Sequence, residues 1–166
     1  MKLKSAGQWR GKTVKIEPWI RESNLIEGVD DLQEDARCLR AWKWLLNQDL
    51  LLTETILWLH RRIMIGYLGK YEAGRFRRCG VMVGGRICPP WQDVPSLHMF
   101  WLTTHFHAAT EEHIKRAHIE WETIHPFVDG NGRTGRMIMN YQRVKAGLEP
   151  LLIRFDERQD YYGWFK

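Results

Sequence analysis

Apolar positions along this chain recur mostly at three- and four-residue intervals, the spacing of one helix face, and seldom alternate as strand residues do. Leu32, Ala36, Leu39, Trp42 and Leu46 line one face of a helix predicted over residues 29–48, with Asp30 or Asp31 near its start as a cap. Thr55, Leu57, Leu59, His60 and Ile63 mark a second over 51–65, closing at Gly66. A shorter piece over 20–28 ends on Gly28, in the position of a C-terminal cap. Residues 97–109 read as helical. Ile114, Ala117, His118, Trp121 and Ile124 place another helix over 111–125. Met137, Tyr141 and Val144 carry one more to a stop at Gly147 and Pro150.

One stretch breaks this pattern. Residues 76–83 mix basic and strand-favouring side chains, Gly84-Gly85 is a turn signal, and residues 86–88 return toward Pro89-Pro90, so a β-hairpin is predicted there. With 166 residues and 44% hydrophobic content the chain suits one domain with one core. The fold class that follows is mainly α with a single hairpin. Residues 1–19, basic and turn-rich with Gly7, Gly11 and Pro18, read as an N-terminal arm that packs little, and residues 20–166 as the domain. Some of the nine tryptophans are expected in the core.

Composition narrows the function classes. The formal charge of +5 would suit nucleic acid or an acidic partner, but Lys and Arg are spread along the chain rather than gathered, which argues for a solvated basic surface. Cys38, Cys79 and Cys88 are odd in number and not at metal-ligand spacing, which points to a reducing compartment. No apolar N-terminal run and no membrane-length stretch occurs, so a cytoplasmic protein without membrane attachment is expected. His105, His107 and His113 lack a carboxylate or cysteine completing a known ligand set, and His105 and His107 would leave a helix on different sides, so they are not read as a metal site.

The densest chemistry lies in residues 125–136, HPFVDGNGRTGR, a loop between two predicted helices. Gly130, Asn131 and Gly132 open the second helix, where free N–H groups and the positive end of the dipole favour an anion. Arg133 and Arg136, three apart on its first turn, can add contacts to phosphate oxygens. Asp129 offers an oxygen ligand for Mg²⁺ beside such a site. His125 can accept a proton near neutral pH. Gly130-x-Gly132-x-x-Gly135 matches the dinucleotide fingerprint, but a helix rather than a strand precedes it; Arg136 and Met137 stand where a P-loop needs Lys and Ser or Thr.

Position for position the stretch resembles the signature of the Fic family, H-P-F-x-[D/E]-G-N-G-R-x-x-R. The resemblance covers roughly residues 20–165. It implies a helical Fic domain that transfers AMP from ATP, with Mg²⁺, to a Ser, Thr or Tyr hydroxyl of a protein target, which can be the protein itself. In that reading His125 is the base, Asp129 carries the metal, and Gly130, Asn131, Gly132, Arg133 and Arg136 hold the phosphates. Phe127 anchors the loop in the core. Gly132 stands where phosphate-transferring, Doc-like members have Lys, which favours the AMP-transferring orientation of the nucleotide.

Ser23, Glu27 and Gly28 also match the family's inhibitory pattern [S/T]-x-x-x-E-[G/N], which implies that Glu27 pairs with Arg136 and blocks the γ-phosphate. Gly74-x-x-Arg77, Val83-Gly84-Gly85 and Pro89-Pro90 resemble the family's flap, whose edge at Val81, Met82, Val83 and Gly84 would dock the target by strand addition. Tyr161 or Tyr162 would contact adenine. Removal of AMP with the help of Glu27 is the alternative activity, and a nucleic-acid or protein-binding module the alternative class. A homo-oligomer stays open.

Overall fold

The structure, a computed structural model, describes residues 16–166. Gly7 and Gly11 of the expected arm lie outside the described residues, and residues 16–19, counted with that arm, belong to a helix. Helix α1 (Ile16–Ile26) is already under way at Pro18, and Trp19 is buried in the core. Helices α2 (Leu32–Leu46), α3 (Thr53–Met64), α4 (Val94–His105), α5 (Glu111–Ile124), α6 (Asn131–Lys145) and α7 (Arg158–Tyr162) follow. Strands β1 (Met82–Val83) and β2 (Arg86–Ile87) form one antiparallel hairpin between α3 and α4, pairing Met82 with Ile87 and Val83 with Arg86. The architecture is thus mainly α with a single hairpin, the strands shorter than the residues 76–88 predicted. Among the described residues no helix is long and apolar enough to cross a membrane.

Side-chain caps fix two of the helix starts. Asp31 accepts the Gln33 N–H at the head of α2, and Thr110 accepts that of His113 at the head of α5. Helix α4 starts at Val94, earlier than predicted, because Pro95 suits a first helical turn and a 3-10 turn at Trp91–Asp93 leads into it.

Helix α6 is central: its buried residues run continuously from Arg133 to Gln142, and α5, α3, α1 and α2 all pack on it. The face predicted for α2 is turned. Leu32 and Ala36 are exposed, while Glu34, Cys38, Ala41, Trp42 and Leu45 point inward. Small residues at 38 and 41 let α1 approach, and Trp19 meets Trp42 edge-on at 5.1 Å; a choice of the largest apolar side chains misses this. Helix α3 likewise buries Ile56 and Met64 along with the expected Leu59, His60 and Ile63. Trp19, Trp42, Trp101 and Trp121 belong to this core.

Three histidines are packed inside in the neutral form. Burial lowers His60, His98 and His118 each to about 4. The unfolded chain, with histidines titrating near 6.5, binds more protons than the folded one below that pH. Stability is therefore full above about pH 6.5 and falls as pH drops toward 4. Urea unfolding at about pH 7.5 and pH 4.5 is expected to show a clear loss of midpoint at the lower pH; equal midpoints would mean these rings protonate without cost.

Candidate active site

Helix α5 stops at His125, which takes the left-handed conformation (φ 50°, ψ 64°) while its N–H still bonds to the Trp121 carbonyl at 3.0 Å. The next residues are pinned from inside. Phe127 is fully buried and stacks on His60 with ring centres 3.7 Å apart. His60 Nδ1 accepts the Gly74 N–H at 2.8 Å, so the neutral ring carries its proton on Nε2 and donates it to the Asp129 carbonyl at 2.9 Å. Asn131 closes the loop: its Oδ1 accepts the Phe127 N–H and its Nδ2 donates to the Phe127 carbonyl. The Asn131 side-chain amide thereby closes the loop, while its backbone N–H stands at the helix start expected to hold phosphate.

Gly130, with φ 75°, turns the chain into α6, and Cβ at this position would collide with Met64. The N–H groups of Asn131, Gly132 and Arg133 then lack intrahelical acceptors and form an anion-binding first turn. Arg133 is buried and rests on Met64 Sδ and the Tyr67 ring, and among the described residues its Nε and Nη1 have no partner. Arg136 is buried and engaged through all three of its nitrogens. Its Nε donates to Ser23 Oγ at 2.9 Å, Nη2 to the Ser23 carbonyl at 2.9 Å and to Glu27 Oε1 at 2.6 Å, and Nη1 to the Tyr161 hydroxyl at 3.2 Å. Burial opposes the Arg136 charge, yet Tyr161 and Glu27 outweigh it and raise its pKa. Glu27 Oε1 also lies against Gly132, where a Cβ would collide with it.

His125 Nδ1 is buried, 3.6 Å from Glu122 Oε2, and Nε2 makes no hydrogen bond to the described residues. Behind it sits Arg77, only 2% exposed. Its guanidinium donates to the carbonyls of His125, Cys79, Pro89 and Ile124, and its own N–H to Pro126, stapling the base of the hairpin to the loop. Arg86 on β2 adds bonds to the carbonyls of Glu122 and Thr123. Met82, Val83 and Gly84 are exposed and Val81 half-buried, and among the described residues the outer edge of β1 is unpaired.

Tyr161 is buried, its hydroxyl between His118 Nε2 at 2.8 Å and Arg136. Of the two tyrosines expected near adenine, this enclosed one supports Arg136. Tyr162 is 37% exposed and stays accessible to a ligand. His105 bonds to His113 at 2.9 Å and to Glu120 at 2.8 Å in a row that does not converge on a point, and His107 is exposed; among the described residues no group of three His, Cys, Asp or Glu could hold a metal. Asp129 is exposed, with Oδ1 taken by the Gly130 N–H, which leaves its other oxygen for a cation. A single carboxylate fits Mg²⁺ that arrives bound to phosphates, since that ion keeps most of its ligands from substrate and water.

The description "Fic/DOC family" belongs to the family model that matches residues 50–142. The chain belongs to the Fic/DOC family. A protein adenylyltransferase Fic of Drosophila willistoni is 38% identical over 156 residues, covering 89% of this chain and 29% of that protein. Its Drosophila melanogaster counterpart is 41% identical over 117 residues, 67% of this chain and 23% of that one. The chain therefore spans less than a third of the curated relatives it matches. A Fic family protein of Desulfovibrio desulfuricans superposes with a TM-score of 0.68 at 27% identity, over 86% of this chain and 49% of that one. A Fic domain containing signaling protein of Bacteroides thetaiotaomicron reaches 0.71 at 18% identity, over 88% and 68%, a likeness of fold alone.

In the sequence Arg77 stands only as part of a flap pattern, His118 only as a helix-face residue, and Glu122 is not singled out. Spacing would have found the last two, because residues 118, 122 and 125 share a face of α5 with the base.

Proposed function

We propose that this Fic domain transfers AMP from ATP to a hydroxyl side chain of a protein. The observation that carries this reading is the seat of the Glu27 carboxylate, an oxyanion held by Arg136 against the glycine turn at the head of α6. Two buried guanidiniums and three free N–H groups beside it make a site for a chain of phosphates. His125 borders the same turn with Nε2 open. A hydroxyl at Nε2 gives up its proton there, its oxygen bonds to the α-phosphorus, and the bond to pyrophosphate breaks with the electron pair on the leaving group. The N–H groups and Arg133 stabilise the negative charge as it spreads. Mg²⁺, when bound at Asp129, supplies further charge neutralisation on the phosphates. Tyr162 is the accessible aromatic side chain for the adenine, and the free edge of β1 is where an extended target segment would pair. Glu27, by holding Arg136, restrains the reaction.

AMP removal from a modified protein is the second reading, favoured by the partly exposed Glu27 carboxylate at the phosphate turn, where it could orient a water. One substitution separates the two, since Glu27→Gly raises transfer and abolishes removal. The direct test is intact mass after incubation with ATP and Mg²⁺. A gain of about 329 Da per site, one AMP residue, is expected in Glu27→Gly; a gain of about 80 Da would replace AMP transfer with phosphate transfer, and no gain with any protein substrate would overturn the reading.

A further inference from the structure

Glu122 stands one turn before His125 on α5. Its Oε2 is 3.6 Å from Nδ1, too long for a direct hydrogen bond but a close charge contact between side chains only 12% and 15% exposed. Among the described residues no other partner reaches that Nδ1, and Glu122 Oε1 is itself buried without a hydrogen bond. Gly135 makes the room: a Cβ there would come within 2.6 Å of Oε1. Arg86 binds the carbonyl of Glu122 and not its carboxylate. The charged and titratable groups whose fields reach the carboxylate are His118 and His125 beside it, Arg136 from α6 and Tyr161 from α7. Burial pushes the Glu122 carboxyl up, but His125, His118 and Arg136 outweigh burial and hold it below the ordinary value, so it is charged at neutral pH.

A buried carboxylate without hydrogen-bond donors costs stability, and an apolar residue would pack here at no such cost. Its value must lie in what it faces. We propose that Glu122 is a positioning residue of the transfer reaction: it holds His125 with the ring proton on Nδ1, which keeps the Nε2 lone pair directed to the attacking hydroxyl. This inference rests on the AMP-transfer reading for its catalytic consequence. When Nε2 takes the hydroxyl proton, the imidazolium formed carries its second N–H toward Glu122, and the carboxylate stabilises it as the O–P bond forms. The arrangement does for this base what a buried carboxylate does wherever it orients a histidine, through a contact within one helix rather than from a separate strand or loop.

The placement of the proton can be read without any turnover. In the unsubstituted protein, ¹⁵N shifts of the His125 ring, recorded at rising pH until they stop moving, are expected to show mainly the Nδ1–H form. A majority of the Nε2–H form would overturn the proposal. Glu122→Gln is expected to shift the ratio several-fold toward Nε2–H. In the Glu27→Gly background it should lower kcat by about tenfold or more with the KM for ATP unchanged, and Glu122→Asp should recover much of that loss because it keeps the charge. Full transfer rate in Glu122→Gln, or equal loss in Gln and Asp variants, would reduce Glu122 to a packing role. If Glu27→Gly transfers no AMP, the functional reading fails, and the tautomer ratio alone decides where Glu122 holds the proton.

Discussion

Glu27→Gly is expected to raise the initial rate of AMP incorporation by about 10- to 100-fold, the equivalent of the 1.5–3 kcal/mol carried by one hydrogen bond to a charged group. In the proposed reaction the terminal phosphate of ATP would have to displace that bond to reach Arg136, and would meet the same negative charge while doing so. Removing the carboxylate leaves Arg136 in place, because Ser23 Oγ, the Ser23 carbonyl and Tyr161 still hold three of its N–H groups. The fold should bear the change well. Glu27 follows the last residue of α1, and Gly28 already takes the left-handed cap conformation with φ 74°. Glu27→Gln serves as the charge control: it retains the shape, and its rate should fall between the two. Equal rates in all three proteins would show that Glu27 holds Arg136 without restraining the enzyme.

The place of the loop between two helices was legible because it is local. Residues 125–136 are contiguous, their types are unusual together, and helical periodicity on either side placed them at a helix start. Glu27 and Arg136 lie 109 residues apart, and only a family pattern joined them; no periodicity could. What stayed hidden was the support of the site. Arg77 looks like one basic residue among many until its four backbone acceptors are seen together, two at the end of α5 and the start of the loop and two flanking the hairpin. The inward partners of Asn131 and Tyr161, within the loop and with Arg136 and His118, were equally out of reach of any pattern in the sequence. The turned face of α2 has a related cause. Helix rotation is settled by which residues are small enough for close approach, and size matching across an interface is not written in either helix alone.

His125→Ala in the Glu27→Gly background is expected to lower AMP incorporation by about 10²- to 10⁴-fold, the usual weight of a positioned general base. The KM for ATP should change little if, as proposed, the phosphate contacts come from α6 and not from the imidazole. The backbone adds a complication that can be controlled. Residue 125 sits at φ 50°, a conformation that costs a side chain such as alanine about 1 kcal/mol, so some loss of stability is expected from the loop itself. Asparagine tolerates this region better, and His125→Asn should keep the unfolding midpoint nearer that of the parent while losing transfer to the same extent. Loss that follows the unfolding midpoint instead of the imidazole would make His125 a structural residue of the turn. Retained transfer in both variants would move the base elsewhere, and Asp129 is then the exposed carboxylate on the same loop that a hydroxyl could reach.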